Sequence, residues 1–119
     1  MKHTIDCPAE RAIYFLGGKW KIRILFSLLN NKKIRFGKLK KGLKTITQQM
    51  LSKQLKELET DGIVNRKVYQ VVPPKVEYSL TEFGTSVMPI LKSFSEWNKR
   101  NTRTIALKLN KHFEESRIR

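Results

Sequence analysis

The apolar positions of this chain change period along its length, and the changes divide it into elements. In "DCPAERAIYFLGG", Ala9, Ala12, Ile13 and Leu16 share one stripe at helical spacing. Pro8 suits the first turn of that helix, where no N–H is needed, and Gly17-Gly18 suits its end. "KWKIRILFSLLNN" repeats the pattern, with Trp20, Ile24 and Leu28 at i, i+4 and i+8 and with Leu25 and Leu29 widening the buried face until Asn30-Asn31 stops it. After a basic turn, "RFGKLKKGL" spaces Phe36, Leu39 and Leu43 for a short third helix whose Lys38, Lys40 and Lys41 point elsewhere.

The fourth helix lies in "TITQQMLSKQLKELETDGI". Thr47 is its expected N-cap, and Thr45 with Gln48 offers an alternative capping box. Leu51, Leu55 and Leu58 face inward, which turns Gln49, Ser52, Lys53 and Lys56 outward. Glu57, Glu59 and Asp61 sit at the end where the helix dipole least favours acids, while the first turns carry none. Two helices joined by a short turn, the second presenting a donor-rich N-terminal half, form the helix-turn-helix arrangement that enters the DNA major groove. On this reading the first turns face something already negative, through Thr47, Gln48, Gln49, Ser52 and Lys53.

Beyond Gly62 the period falls to two. "IVNRKVYQV", the turn "VPP" and "KVEYSL" predict a two-stranded hairpin, with Val76, Tyr78 and Leu80 alternating against Lys75, Glu77 and Ser79. Lys67, Gln70 and Lys75 flank its tip, so it is placed to act as a wing against an adjacent stretch of backbone. Thr81 then caps a long helix, "TEFGTSVMPILKSFSEWNKR", with a kink expected at Pro89. Ile105, Leu109 and Phe113 extend a further helical arm through a basic tail, residues 101–119. The expected fold is mainly α with a small β-hairpin, as one domain over residues 1–119.

Charge sharpens this picture. Lys and Arg total 25 against 10 Asp and Glu, a net charge of +15 over 119 residues, and such a balance points to a polyanion: nucleic acid or an anionic membrane. Residues 1–46 hold 12 basic and 2 acidic side chains, so the excess is concentrated in and before the third helix. Lys19, Arg35 and Lys38, with Lys40, Lys41 and Lys44, are therefore the candidate phosphate contacts. No apolar run approaches the roughly 20 residues of a membrane span, and "MKHTIDCPAE" lacks the apolar block of a secretory signal. A cytoplasmic protein without a membrane partner is expected. Cys7 is the single cysteine, and with His3 and His112 it makes no recognisable zinc pattern. No catalytic constellation is present in the sequence, so neither an enzyme nor a cofactor is expected.

The order of these elements and their residues resemble the HxlR family of winged helix-turn-helix bacterial transcriptional regulators. "GGKW", "RFGKLKKGL", "ITQQMLSKQLKELETDGIVNR", "VPPKVEYSLTEFG" and a late Trp carry the likeness, from about Cys7 to Arg100. The resemblance implies a homodimer joined by the first and last helices, with Ala9, Ile13, Leu16, Phe94 and Trp97 at its interface. It implies an operator of two related half-sites in double-stranded DNA, nucleoid association, and regulation that is often repression. Recognition carries over to Thr47, Gln48, Gln49, Ser52 and Lys53, with Lys67 and Lys75 in the wing. Gly37 and Lys38 depart from the polar or acidic pair usual after the Arg-Phe of the third helix, which favours phosphate attraction without adding sequence choice. The tail after Arg100 has no counterpart to carry over.

Members of that family commonly have a cysteine before the first helix, and several sense electrophiles or oxidants through it. Cys7 stands at that place. Independently, a helix N-terminus beside Lys2 and Arg11 favours a thiolate, with Asp6 opposing. Cys7 is thus the candidate thiol sensor, with an oxidant or small molecule as effector, and an inert, partly buried cysteine is the competing reading. The alternative function from another class is a basic RNA-binding or ribosome-associated winged-helix module.

Overall fold

A computed structural model describes residues 5–118, so Lys2 and His3 lie outside the described residues. The chain gathers into two compact units, one ending at Val87 and one beginning at Met88.

In the first unit the order is α1 (Pro8–Leu16), α2 (Lys19–Asn30), β1 (Ile34–Arg35), α3 (Phe36–Leu43), α4 (Gln48–Thr60), β2 (Val64–Tyr69), β3 (Lys75–Leu80) and α5 (Glu82–Thr85). Ile24, Leu25 and Leu28 of α2, Leu39 and Leu43 of α3, and Leu51, Leu55 and Leu58 of α4 are all buried. Ile46 is buried in the turn between α3 and α4, and Ile34, Ile63, Val64 and Tyr78 are buried in and beside the sheet. The leucine stripe expected to face inward is therefore the seam on which the three helices meet.

The link from α3 to α4 is tight because Lys44 takes φ 61° and ψ −81° while the Thr45 N–H donates to the Leu43 carbonyl at 2.8 Å. This is a γ-turn of the strained hand, a rare choice for a residue with a side chain. Helix α4 starts at Thr47, whose Oγ1 accepts the Met50 N–H at 3.1 Å, so Thr47 supplies the cap and not the Thr45 box. Gly62, at φ 73°, closes the other end: its N–H donates to Glu59 at 3.0 Å and the Ile63 N–H donates to Leu58 at 2.9 Å. Those two bonds, with Leu58 and Ile63 both buried, make the Schellman ending that fixes where the helix yields to β2.

The sheet has the order β1-β3-β2 and is antiparallel throughout. The expected hairpin is present, with Tyr69 opposite Lys75 nearest the tip. It gains a third strand where only a basic turn was expected, because Ile34 pairs with Tyr78 and Arg35 with Glu77. A two-residue strand is too short to show a period of two.

Thr81 knots the end of the sheet to its start. Its hydroxyl donates to the Gly62 carbonyl at 2.6 Å, its N–H donates to the Ile63 carbonyl at 3.0 Å, and its Oγ1 accepts the Gly84 N–H at 2.9 Å. The long kinked helix expected after it is instead two helices. α5 ends at Thr85, and α6 (Met88–Arg100) begins with Pro89 in its first turn. Pro89 has no N–H for the Thr85 carbonyl and its ring would clash there, so the helix breaks rather than kinks. The second unit comprises α6 and α7 (Thr102–Ile118). They are interrupted at Asn101, whose side chain donates to the Trp97 carbonyl at 2.9 Å. The predicted basic arm is helix α7.

Candidate nucleic-acid interface

Two capped ends hold α4 so that one face stays outward. Thr47, Gln48, Gln49, Ser52, Lys53 and Lys56 are all exposed. Because Thr47 Oγ1 accepts a backbone N–H, its own proton remains free to be donated. No acid lies in the first turn. The acidic end has a separate use: Glu57 accepts from Lys21 Nζ of α2 at 2.7 Å. That hydrogen bond holds the Glu57 carboxyl below its ordinary pKa, against a smaller opposing effect of desolvation. The pair ties α4 to α2 and consumes an acid that would otherwise oppose a polyanion.

The candidate phosphate contacts lie on other elements. Lys38 and Lys41 of α3 and Arg35 of β1 are exposed, as is Lys44 in the turn, while Lys40 is half-buried. Lys19 is exposed, with its Nζ 4.8 Å from the centre of the Trp20 ring, and the Arg23 guanidinium lies 5.1 Å from the same ring. Trp20 is half-buried, so the indole is both an anchor and a platform for two cations.

In the hairpin, Lys67 and Gln70 are exposed and Lys75 is half-buried. Lys67 Nζ lies 4.9 Å and Lys75 Nζ 4.7 Å from the centre of the Tyr69 ring, and Lys75 is 3.8 Å from Glu77. Tyr69 lies diagonal to Glu77 across β2 and β3, and hydrogen bonding toward each other lowers the Glu77 pKa and raises that of Tyr69. Sequence reading left out Tyr69 and Glu77 as partners. The available signal was the hairpin register, which sets Tyr69 two residues beyond Lys67 and Glu77 two beyond Lys75. Arg66 was also passed over; with Ser52, Lys56, Glu59 and Tyr78 it lines a groove of about 340 Å³ between α4 and the sheet.

Cys7 is a free, exposed thiol at the N-cap of α1, with no side-chain capping bond. On α1, Ala9 and Ile13 are exposed, Ile13 at 58%, and Leu16 is half-buried. In the second unit, Phe94 is 52% and Trp97 59% exposed. Five residues expected at a dimer interface are thus open or partly open to a neighbour. Among the described residues no helix is long and apolar enough to cross a membrane.

The HxlR-like helix-turn-helix family model matches residues 15–106. The chain is 48% identical over 101 residues to the HTH-type transcriptional regulator BH0655 of Halalkalibacterium halodurans, covering 85% of this chain and 89% of that one. It is 50% identical over 95 residues to the HTH-type transcriptional regulator YybR of Bacillus subtilis, covering 80% and 75%. Among solved structures, the redox regulator HypR in its reduced form superposes with a TM-score of 0.79 at 45% identity, covering 84% of this chain and 98% of that one. Its oxidised form gives a TM-score of 0.74 at 48% identity, covering 80% and 97%. With its winged helix-turn-helix fold and these relatives, the chain belongs to the HxlR-like helix-turn-helix family of transcriptional regulators.

Proposed function

We propose that the chain binds double-stranded DNA in a sequence-specific way as a homodimer and represses transcription from an operator of two half-sites. The observation that carries this reading is the exposed, acid-free N-terminal half of α4. Gln48 and Gln49 offer amide groups suited to adenine edges, Ser52 and Lys53 add donors, and the N-terminal dipole favours phosphate. Lys19, Arg35 and Lys38 flank that face as backbone contacts, and Lys67, Gln70 and Lys75 form the wing. The open apolar side chains Ala9, Ile13 and Leu16 on α1 of the first unit, and separately Phe94 and Trp97 on α6 of the second, supply apolar surface for a second copy. That copy sets two α4 helices one helical turn, about 34 Å, apart on the duplex.

The test is competition. A labelled duplex from beside the protein's own gene should survive a bulk-DNA excess of about 10³-fold. Equal competition by arbitrary DNA and RNA would instead support a basic RNA-binding module.

The thiol reading extends this. Cys7 is exposed, and the chain resembles a protein described as a redox regulator. Because the chain has one cysteine, oxidation must join Cys7 to a second copy or to a small thiol, releasing two protons and two electrons to the oxidant. Diamide should release DNA from the wild type and leave Cys7→Ser bound; equal release from both removes Cys7 as the switch.

A further inference from the structure

The solvent face of the sheet gathers its charges around one acid. Arg35 and Lys67 are both Cα partners of Glu77, so those three residues form a row across β1, β3 and β2. Tyr69 and Lys75 form the next row toward the tip. Lys33, just before β1, joins Lys75 and Arg35 in acting electrostatically on Glu77. Glu77 is therefore a single carboxylate among Lys33, Arg35, Lys67 and Lys75, and it lies diagonal to Tyr69 across the strand pair. The Tyr69 ring in turn lies under both lysine ammonium groups.

Stability is a poor reason for that arrangement, since Lys75 and Glu77 meet only at 3.8 Å, too long for a close hydrogen-bonded pair. A carboxylate on a face meant for phosphate also opposes binding by its sign. Its useful effect is on where the cations are held and how strongly they act. We propose that Glu77 is a specificity-setting residue of the wing, holding Lys75 beside Tyr69 and offsetting the charge of Lys67 and Lys75 so that the wing engages phosphate only when α4 has matched its bases. This rests on the reading of α4 and the hairpin as the DNA-binding surface.

The experiment compares wild type, Glu77→Gln and Glu77→Asp on a random-sequence duplex and on the operator, between 50 and 200 mM salt. Glu77→Gln should bind the random duplex more tightly, with a salt slope steeper by about 0.9, the increment of one added phosphate contact. The gain then changes about 3-fold across that salt range. The operator-to-random ratio should fall, and Glu77→Asp should restore it in large part. Titration of the Tyr69 phenol reads the geometry separately: it should ionise at lower pH in Glu77→Gln. An unchanged slope and ratio, or weaker binding to both duplexes in a variant with wild-type thermal stability, overturns the proposal. The random-duplex arm does not need an operator, so an unselective wild type refutes the regulator reading while the effect of Glu77 is still read. A wild type that binds no duplex refutes both.

Discussion

Gly84→Ala tests whether the Thr81 knot holds the sheet to α5. A Cβ at Gly84 would fall 2.1 Å from the Ile63 carbonyl oxygen and 3.1 Å from its carbon, both backbone atoms that cannot swing aside. Relieving that overlap requires a shift of about 1 Å, a change that overpacked sites pay for with about 1–3 kcal/mol. The same carbonyl accepts the Thr81 N–H at 3.0 Å, and the Gly84 N–H reaches Thr81 Oγ1 at 2.9 Å, so the shift weakens two bonds contributing about 1 kcal/mol each. Alanine returns about 1 kcal/mol as the better helix former, leaving a net loss of about 2–4 kcal/mol. Urea unfolding should show that loss at an unchanged m-value, with a midpoint temperature lower by about 10–20 °C. Gly37→Ala, where nothing lies within 4 Å of the added carbon, is the control and should change stability by less than about 1 kcal/mol. A Gly84→Ala protein within about 0.5 kcal/mol of wild type would refute the close approach and the reasoning built on it.

Thr47→Ala removes the side-chain cap of α4 and should lower stability by about 1 kcal/mol in denaturant titration, whereas Thr45→Ala should change it little. Lys21→Met should cost about 0.5 kcal/mol at pH 7, the size of a screened pair whose Glu57 is 42% exposed. Since the Glu57 pKa is lowered in the folded state, that contribution is present above the usual carboxylate range and lost as pH falls through the folded value, so the two proteins should converge in melts taken at progressively more acid pH. Lys38→Ala should weaken all duplexes alike and reduce the salt slope by about 0.9, while Gln49→Ala should alter which operator variants are preferred; identical effects in quantitative binding titrations would undo the division of roles.

How much of this was legible depended on whether a feature repeats. The stripe of Leu51, Leu55 and Leu58 and the Thr47 cap are local patterns, and each is present in the fold, whereas β3 forms as a strand but buries only Tyr78, with its other five residues half-exposed on both faces. β1 was not legible, since two residues carry no period and Ile34–Arg35 becomes a strand only by pairing with β3. Pro89 marked a discontinuity, but its sequence position alone did not distinguish a kink from a break. The exposed face of α4 followed from helical geometry. The Tyr69, Lys75 and Glu77 cluster did not, because it depends on cross-strand register and on which side chains turn toward one another.

The charge order of α4 now has a physical account that does not begin with DNA. A free helix is stabilised by acids at its N-terminus, so leaving Gln48, Gln49 and Ser52 there forgoes about 0.3–1 kcal/mol. The helix recovers support at places that leave this face open: the Thr47 cap, the Gly62 ending, the buried leucines and the Lys21–Glu57 pair. Replacing Gln48 by Glu should therefore stabilise the isolated fold by a few tenths of a kcal/mol in thermal melts. If the first turn meets a phosphate backbone, the same change should weaken duplex binding, and the two effects have opposite sign. A variant both more stable and bound as tightly as wild type would mean that the bare end of α4 faces only water.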